Sequence, residues 1–229
     1  MGFRAVVLFL TAGCLVGASS GEEQCAKPAP QWPLQFSAKV NITAHHVDKT
    51  KDYPPWLKRL EVHFDYENKR FRAEFKHTKR TAIRRYDQNK EFLVTRVDDL
   101  MHCRTSKLKD EMPLPEWPSK ATYQGTKTVL NQKCDHWLED FGSQQVHIYT
   151  REDSAVPVRV QVETVEVKKD VRRAVPDVTY DMFDFQEGAP ALSKFKMPSD
   201  VKGGEESCER QPNDIGFPYV HFFHHFYRV

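Results

Sequence analysis

The feature that most constrains the fold is a two-residue hydrophobic alternation that starts early and keeps returning. Phe36, Ala38, Val40, Ile42 and Ala44 alternate with Gln35, Ser37, Lys39, Asn41 and Thr43. A helix would scatter these residues around its circumference. An extended chain puts the apolar set on one face and the polar set on the other, as a half-solvated antiparallel strand requires. Leu60, Val62, Phe64 and Tyr66 repeat the pattern, Glu67-Asn68-Lys69 supplies a short turn, and Phe71, Ala73 and Phe75 resume it. This reads as a hairpin although it lacks an Asn-Gly pair.

Further strands are predicted at 80–87, 91–98 and 100–106, with a turn near 49–55 before the hairpin. A second meander is predicted at 133–140, 144–151 and 156–167. In its last strand Val156, Val158, Val160 and Val162 alternate, and Pro157 marks an edge or a strand start. Residues 120–130 read as a strand or a short helix. Pro113, Pro115 and Pro118 make 112–118 a loop. From 175 to 185 the signal is mixed: Val178, Tyr180, Met182 and Asp184 share one phase, Phe183 and Phe185 the other. Residues 186–216, with Gly203-Gly204 and several prolines, are loop-like. The expectation is a mainly β meander of roughly eight to eleven strands with little helix and no fixed repeat.

Ahead of the strands, residues 1–20 have the layout of a secretory signal: Arg4, the apolar run from Ala5 to Leu10, then Ala18, Ser19 and Ser20 before Gly21. The run is shorter than the ~20 apolar residues of a membrane span and is broken by Thr11 and Gly13. Cleavage after Ser20 would remove Cys14 and deliver Cys25, Cys103, Cys134 and Cys208 to an oxidising compartment, where an even set reads as bridges. Four cysteines allow three pairings. A zinc site is the rival reading, but no Cys-x-x-Cys occurs. Asn41-Ile42-Thr43 is a glycosylation sequon on the polar phase of the first strand.

Lys+Arg 34 against Asp+Glu 32 gives no reason to expect a nucleic acid or other polyanionic partner. The clusters Lys76-His77-Thr78-Lys79-Arg80 and Lys168-Lys169 with Arg172-Arg173 read as solvated strand faces and hairpin ends. In the tail 217–229, His221, His224 and His225 would share one face of a helix and could hold a metal; in an extended tail the aromatics dock and the imidazoles stay solvated. No Gly-x-Ser-x-Gly, His-Glu-x-x-His or phosphate-binding glycine loop is present. The expectation is therefore a non-enzymatic protein without cofactor or metal.

Specific words add a resemblance. Cys25 is followed by Pro28, Pro30 and Trp32, and the hairpin runs from His63-Phe64-Asp65-Tyr66 to Phe71-Arg72. Then come Phe92-Leu93-Val94 with Cys103 on the next strand, and Phe195-Lys196-Met197-Pro198-Ser199 before Cys208. This order resembles the ependymin and ependymin-related family of secreted glycoproteins. Cys134-Asp135-His136-Trp137, Val146-His147-Ile148-Tyr149-Thr150 and Val156-Pro157-Val158-Arg159 look like the non-catalytic amino-terminal domain of two-part papain-type cysteine proteinases, itself ependymin-like. The papain-type nucleophile segment is missing, so no peptidase activity is implied. Vertebrate ependymin-related proteins carry additional cysteines, one of which would fall near Ser154, so their bridge pattern does not carry over whole.

The resemblance implies a LolA-like fold: a strongly curved antiparallel sheet, or half-barrel, around an apolar cavity that holds a lipid or other hydrophobic molecule. It also implies dimerisation, calcium association, and a bridge from Cys103 to Cys208, which leaves Cys25 for Cys134. Bridges that close loops of roughly 100 residues are worth about 4–5 kcal/mol each in the chain-entropy account. On this reading 21–216 is one disulfide-stapled β domain. The inward-phase residues Phe36, Val40, Phe64, Phe75, Trp137, Ile148 and Val160 would line its cavity. The setting is extracellular or endosomal-lysosomal. The rival expectation is an accessory or matrix-adhesion domain that presents a surface to a protein partner.

Overall fold

The computed structural model describes residues 27, 29–45, 59–76, 79–98, 100–115, 120–152, 154–213 and 215. The signal segment 1–20, Cys25, the turn at 49–55 and the tail 217–229 lie outside the described residues. Among the described residues twelve strands form one open, strongly curved sheet. The first meander comprises β1 (Gln35–Ala44), β2 (Arg59–Asp65), β3 (Arg70–Phe75), β4 (Arg80–Arg85), β5 (Lys90–Val97) and β6 (Leu100–Lys107). The second comprises β7 (Thr122–Val129), β8 (Gln132–Asp140), β9 (Gln144–Arg151), β10 (Pro157–Lys168) and β11 (Val171–Glu187). They join where β1 pairs antiparallel with β11, and the two-residue strand β12 (Glu209–Arg210) adds in parallel to β6. Spatial order is therefore β12-β6-β5-β4-β3-β2-β1-β11-β10-β9-β8-β7.

The alternation predicts which face is buried. Phe36 pairs with Phe64, which pairs with Phe71; Val40 pairs with Leu60, which pairs with Phe75. Because directly paired residues share a face, this row continues through Met182 and Tyr180 of β11, Val160 of β10, Ile148 of β9 and Trp137 of β8. These side chains form one apolar cluster on the concave face. Phe36 stacks on Phe64 at 5.3 Å and on Phe185 at 5.0 Å.

A β-bulge resolves the mixed signal at 175–185. Asp184 takes φ 49°, and the β1–β11 register shifts between Ser37 and Lys39. One extra residue on β11 lets Met182 and Phe185 both point inward, while Phe183 faces solvent. Two other hairpins also turn without an Asn-Gly pair. Leu130-Asn131 and Lys169-Asp170 each place two consecutive residues at positive φ, the geometry of a type I′ turn, without glycine. Residues 120–130 are a strand, and Pro157 begins β10, a strand with neighbours on both sides.

On β4–β6 the apolar set changes sides. Arg84 pairs with Phe71 and so points to the concave face, whereas Ile83, Phe92 and Val94 point to the convex one. They are covered there by the segment after β11, whose Phe195, Val201 and Cys208 are buried. Arg72 donates to the Lys194 and Lys196 carbonyls at 2.9 Å each, Arg96 pairs with Asp200, and the Cys103–Cys208 disulfide fastens the end of this strap. Residues 186–216 thus contain two 3₁₀ turns and a short strand within the expected loop. Cys134 is a free, buried thiol whose Sγ lies 3.5 Å from the Gln132 carbonyl, so the expected second bridge is not formed here. Burial pushes this thiol's pKa up.

Candidate functional site

A sheet with one apolar face must bury it against a second layer or against itself. Among the described residues the complete helical pieces are the short 3₁₀ turns Tyr86–Gln88, Leu192–Phe195 and Gly204–Ser207. Two non-strand segments bring Trp32 and Met112 into the apolar cluster on this face. Trp32 lies 5.6 Å from Phe36 and 6.3 Å from Phe185.

All seven residues expected to line a cavity, Phe36, Val40, Phe64, Phe75, Trp137, Ile148 and Val160, belong to this one cluster. None is more than 2% exposed, so the face is shut to water here, and a guest would have to enter by displacing its cover. The sequence reading missed the polar groups set into the same face. Asp135 and Glu139 flank Trp137 on the inward phase of β8, and both are buried. Asp135 accepts from Lys27 Nζ at 2.6 Å and from the Tyr123 hydroxyl at 3.2 Å; the Tyr123 ring packs 5.1 Å from Trp137. The Tyr180 hydroxyl is also inward, and burial raises its pKa. At the other end Glu91 accepts from Ser106 Oγ at 2.6 Å and from the Ile215 amide at 2.7 Å, and pairs with Arg84 at 3.2 Å. The apolar strip thus carries a buried polar cluster at each end.

The convex face carries two groups with catalytic-looking residue types. Ser37 Oγ lies 2.8 Å from His63 Nδ1, and His63 Nε2 lies 3.3 Å from Glu61. These residues sit mid-strand on β1 and β2, whose backbone donors are spent in ladders with β11 and β3. Burial, then the Lys194 charge, lowers the His63 pKa. On β8–β10, His136 Nε2 lies 2.9 Å from His147 Nδ1, and His147 Nε2 lies 3.3 Å from Glu163. His136 also stacks on Tyr149 at 4.6 Å. Burial, then the Lys127 and His147 charges, pulls the His136 pKa down to about 4. Burial likewise lowers His147, against the raising effect of Glu163. Among the described residues no group of three or more His, Cys, Asp or Glu side chains is gathered to hold a metal ion. Asn41 lies half-buried on the convex face, paired with Asp181 and Arg59.

No protein-family model and no curated protein matches the chain. Among solved structures, an uncharacterized conserved protein from Thermus thermophilus is similar at 10% identity over 78% of this chain and 91% of its own, with a TM-score of 0.44. MucB in complex with MucA(peri) follows at 13% identity, 72% of this chain and 55% of its own, TM-score 0.35. PNGF-II shows 8% identity over 79% of this chain and 31% of its own, TM-score 0.34. Likeness at this level carries no functional argument, and none of the three is an ependymin-related protein.

Proposed function

We propose that the protein is a secreted, non-enzymatic holder of a hydrophobic or amphiphilic molecule, with lipid the best-fitting class, and that the concave face is its seat. The observation that carries this reading is an extended apolar face on a single curved sheet, covered by no helix layer or second sheet among the described residues. An apolar chain that buried about 300 Å² there would gain about 7 kcal/mol, before the costs of association and of opening the cover are subtracted. Asp135, Tyr123 and Lys27 would meet the polar end of the guest. Asn41 would carry a glycan on the face away from it.

The test is titration of the purified protein with a fluorescent fatty acid, read by energy transfer from tryptophan. Saturable uptake is expected, competed by unlabelled fatty acid and lost in Ile148→Arg. Should Ile148→Arg fail to fold, Lys27→Gln replaces it, with weakened affinity for the anionic probe expected because the cation at the polar end is lost. No uptake by the wild type would overturn the reading.

A further inference from the structure

The β10–β11 hairpin outruns the sheet that carries it. β9 pairs with β10 no further than Thr164, and β1 pairs with β11 no further than Val178, with one more bond from the His45 amide to the Asp177 carbonyl at 2.8 Å. Beyond Thr164 and Val175 the two strands are paired in a ladder only with each other among the described residues, through Val165–Ala174, Glu166–Arg173, Val167–Arg172 and Lys168–Val171. A register shift between Val162 and Glu163, opposite Pro176, marks the base of this ribbon. It is tied to the β8–β9 turn by the Val165 amide, which donates to the Ser143 carbonyl at 2.8 Å, and by Arg172, which donates to Asp140 at 2.8 Å and to the Gly142 carbonyl at 2.6 Å.

Every residue from Val167 to Arg173 is exposed. Two adjacent basic pairs stand in that run, Lys168-Lys169 and Arg172-Arg173. The other adjacent basic pairs among the described residues are held inside the sheet. Arg70 of Lys69-Arg70 pairs with Asp65 and Arg85, Arg80 of Lys79-Arg80 pairs with Phe75 and Thr95, and Arg84 of Arg84-Arg85 is buried. An endoprotease takes its substrate as an extended single strand and reads the side chains before the cut in separate pockets. A two-stranded ribbon without further strands is marginal in water, so opening this one to its base is a local event that leaves the β9–β10 and β1–β11 ladders in place.

We propose that the ribbon is a processing site for a basic-pair-specific serine endoprotease, which hydrolyses the Arg173–Ala174 bond and leaves a two-chain protein. Water supplies a hydroxyl to the Arg173 carbonyl carbon and a proton to the Ala174 nitrogen. Lys168, Lys169, Arg172 and Arg173 all precede this bond, whereas a cut after Lys169 would set the Asp170 carboxylate directly behind the scissile bond, against acidic subsites. Such pockets read side chains singly. Glu166, bonded to Lys168 at 2.7 Å, and Asp140, bonded to Arg172, release their cations as the ribbon opens. The products stay together, because Cys103 lies before the cut and Cys208 after it, and because β11 remains paired with β1 from Val178 to Glu187. The inference goes beyond the ligand-holding reading and stands without it.

The test is digestion of the folded, purified protein with a kexin-type endoprotease, followed on reducing and non-reducing denaturing gels with amino-terminal sequencing of the products. One early cut is expected, giving two bands with reductant and one band without it. The new terminus should read Ala174-Val175-Pro176, and the unreduced mass should rise by one water. Arg172→Gln/Arg173→Gln should remove the cut and leave the urea midpoint unchanged. Resistance of the folded wild type, with cutting only in urea, overturns the proposal. So does a first cut at any other basic pair, an unchanged rate in Arg172→Gln/Arg173→Gln, or separation of the two products without reductant.

Discussion

Acidification should unfold this protein more readily, and the buried His136 is the place to measure it. Its pKa is held near 4 by burial among Tyr149, His147 and β8 itself, with Lys127 opposing a second positive charge and Glu163 acting on His147 beyond. In the unfolded chain the same imidazole titrates near 6.5. Between these values the unfolded state binds the extra proton. The stability His136 contributes is therefore complete above pH 6.5 and is lost as pH falls toward 4. Linkage with these two values gives a loss of about 2 kcal/mol between neutrality and about pH 5. His63 and His147, also lowered by burial, add loss in the same direction. The perturbation is His136→Gln, which keeps a polar partner for His147 Nδ1 and removes the titration. Urea unfolding followed by tryptophan fluorescence should show wild type losing about 2 kcal/mol more than the variant over that interval. Equal pH slopes for the two proteins would refute the reasoning.

Three further outcomes follow from the same geometry. Replacing Cys103 and Cys208 together by Ser should cost about 4–5 kcal/mol in chain-entropy terms, and limited proteolysis should then cut within 189–211, the strap that the bridge fastens. Phe64→Ala, at the stacked centre of the concave cluster, should cost about 3–5 kcal/mol in denaturant titration. Lys169→Asn/Asp170→Gly should stabilise by about 1 kcal/mol, read as a higher urea midpoint, because both positions hold positive φ without a glycine.

Much of the sheet was legible because its signal is local. The alternation along β1–β3 and β8–β10 specifies the buried face, and the seven expected lining residues all lie on it. The β11 bulge was visible only as a conflict of phase, since Phe183 and Phe185 cannot reveal that Asp184 turns left-handed between them. The change of buried face at Ile83, Phe92 and Val94 depends on the strap, a contact from more than a hundred residues away that no local pattern encodes. Asp135 and Glu139 did carry a signal: they share the phase of Trp137, and a carboxylate on an inward phase marks a buried polar site. The pairing of β1 with β11, which turns two meanders into one curved sheet, was likewise beyond periodicity.

The account rests on the concave face being a seat for a guest. Native mass spectrometry of the protein purified without denaturation, followed by solvent extraction, tests this most directly. The account predicts a protein peak heavier than the same chain under denaturing conditions by the mass of a lipid or similar apolar molecule, which the extract then contains. A bare chain mass, an empty extract and no mass gain after incubation with fatty acid would contradict it.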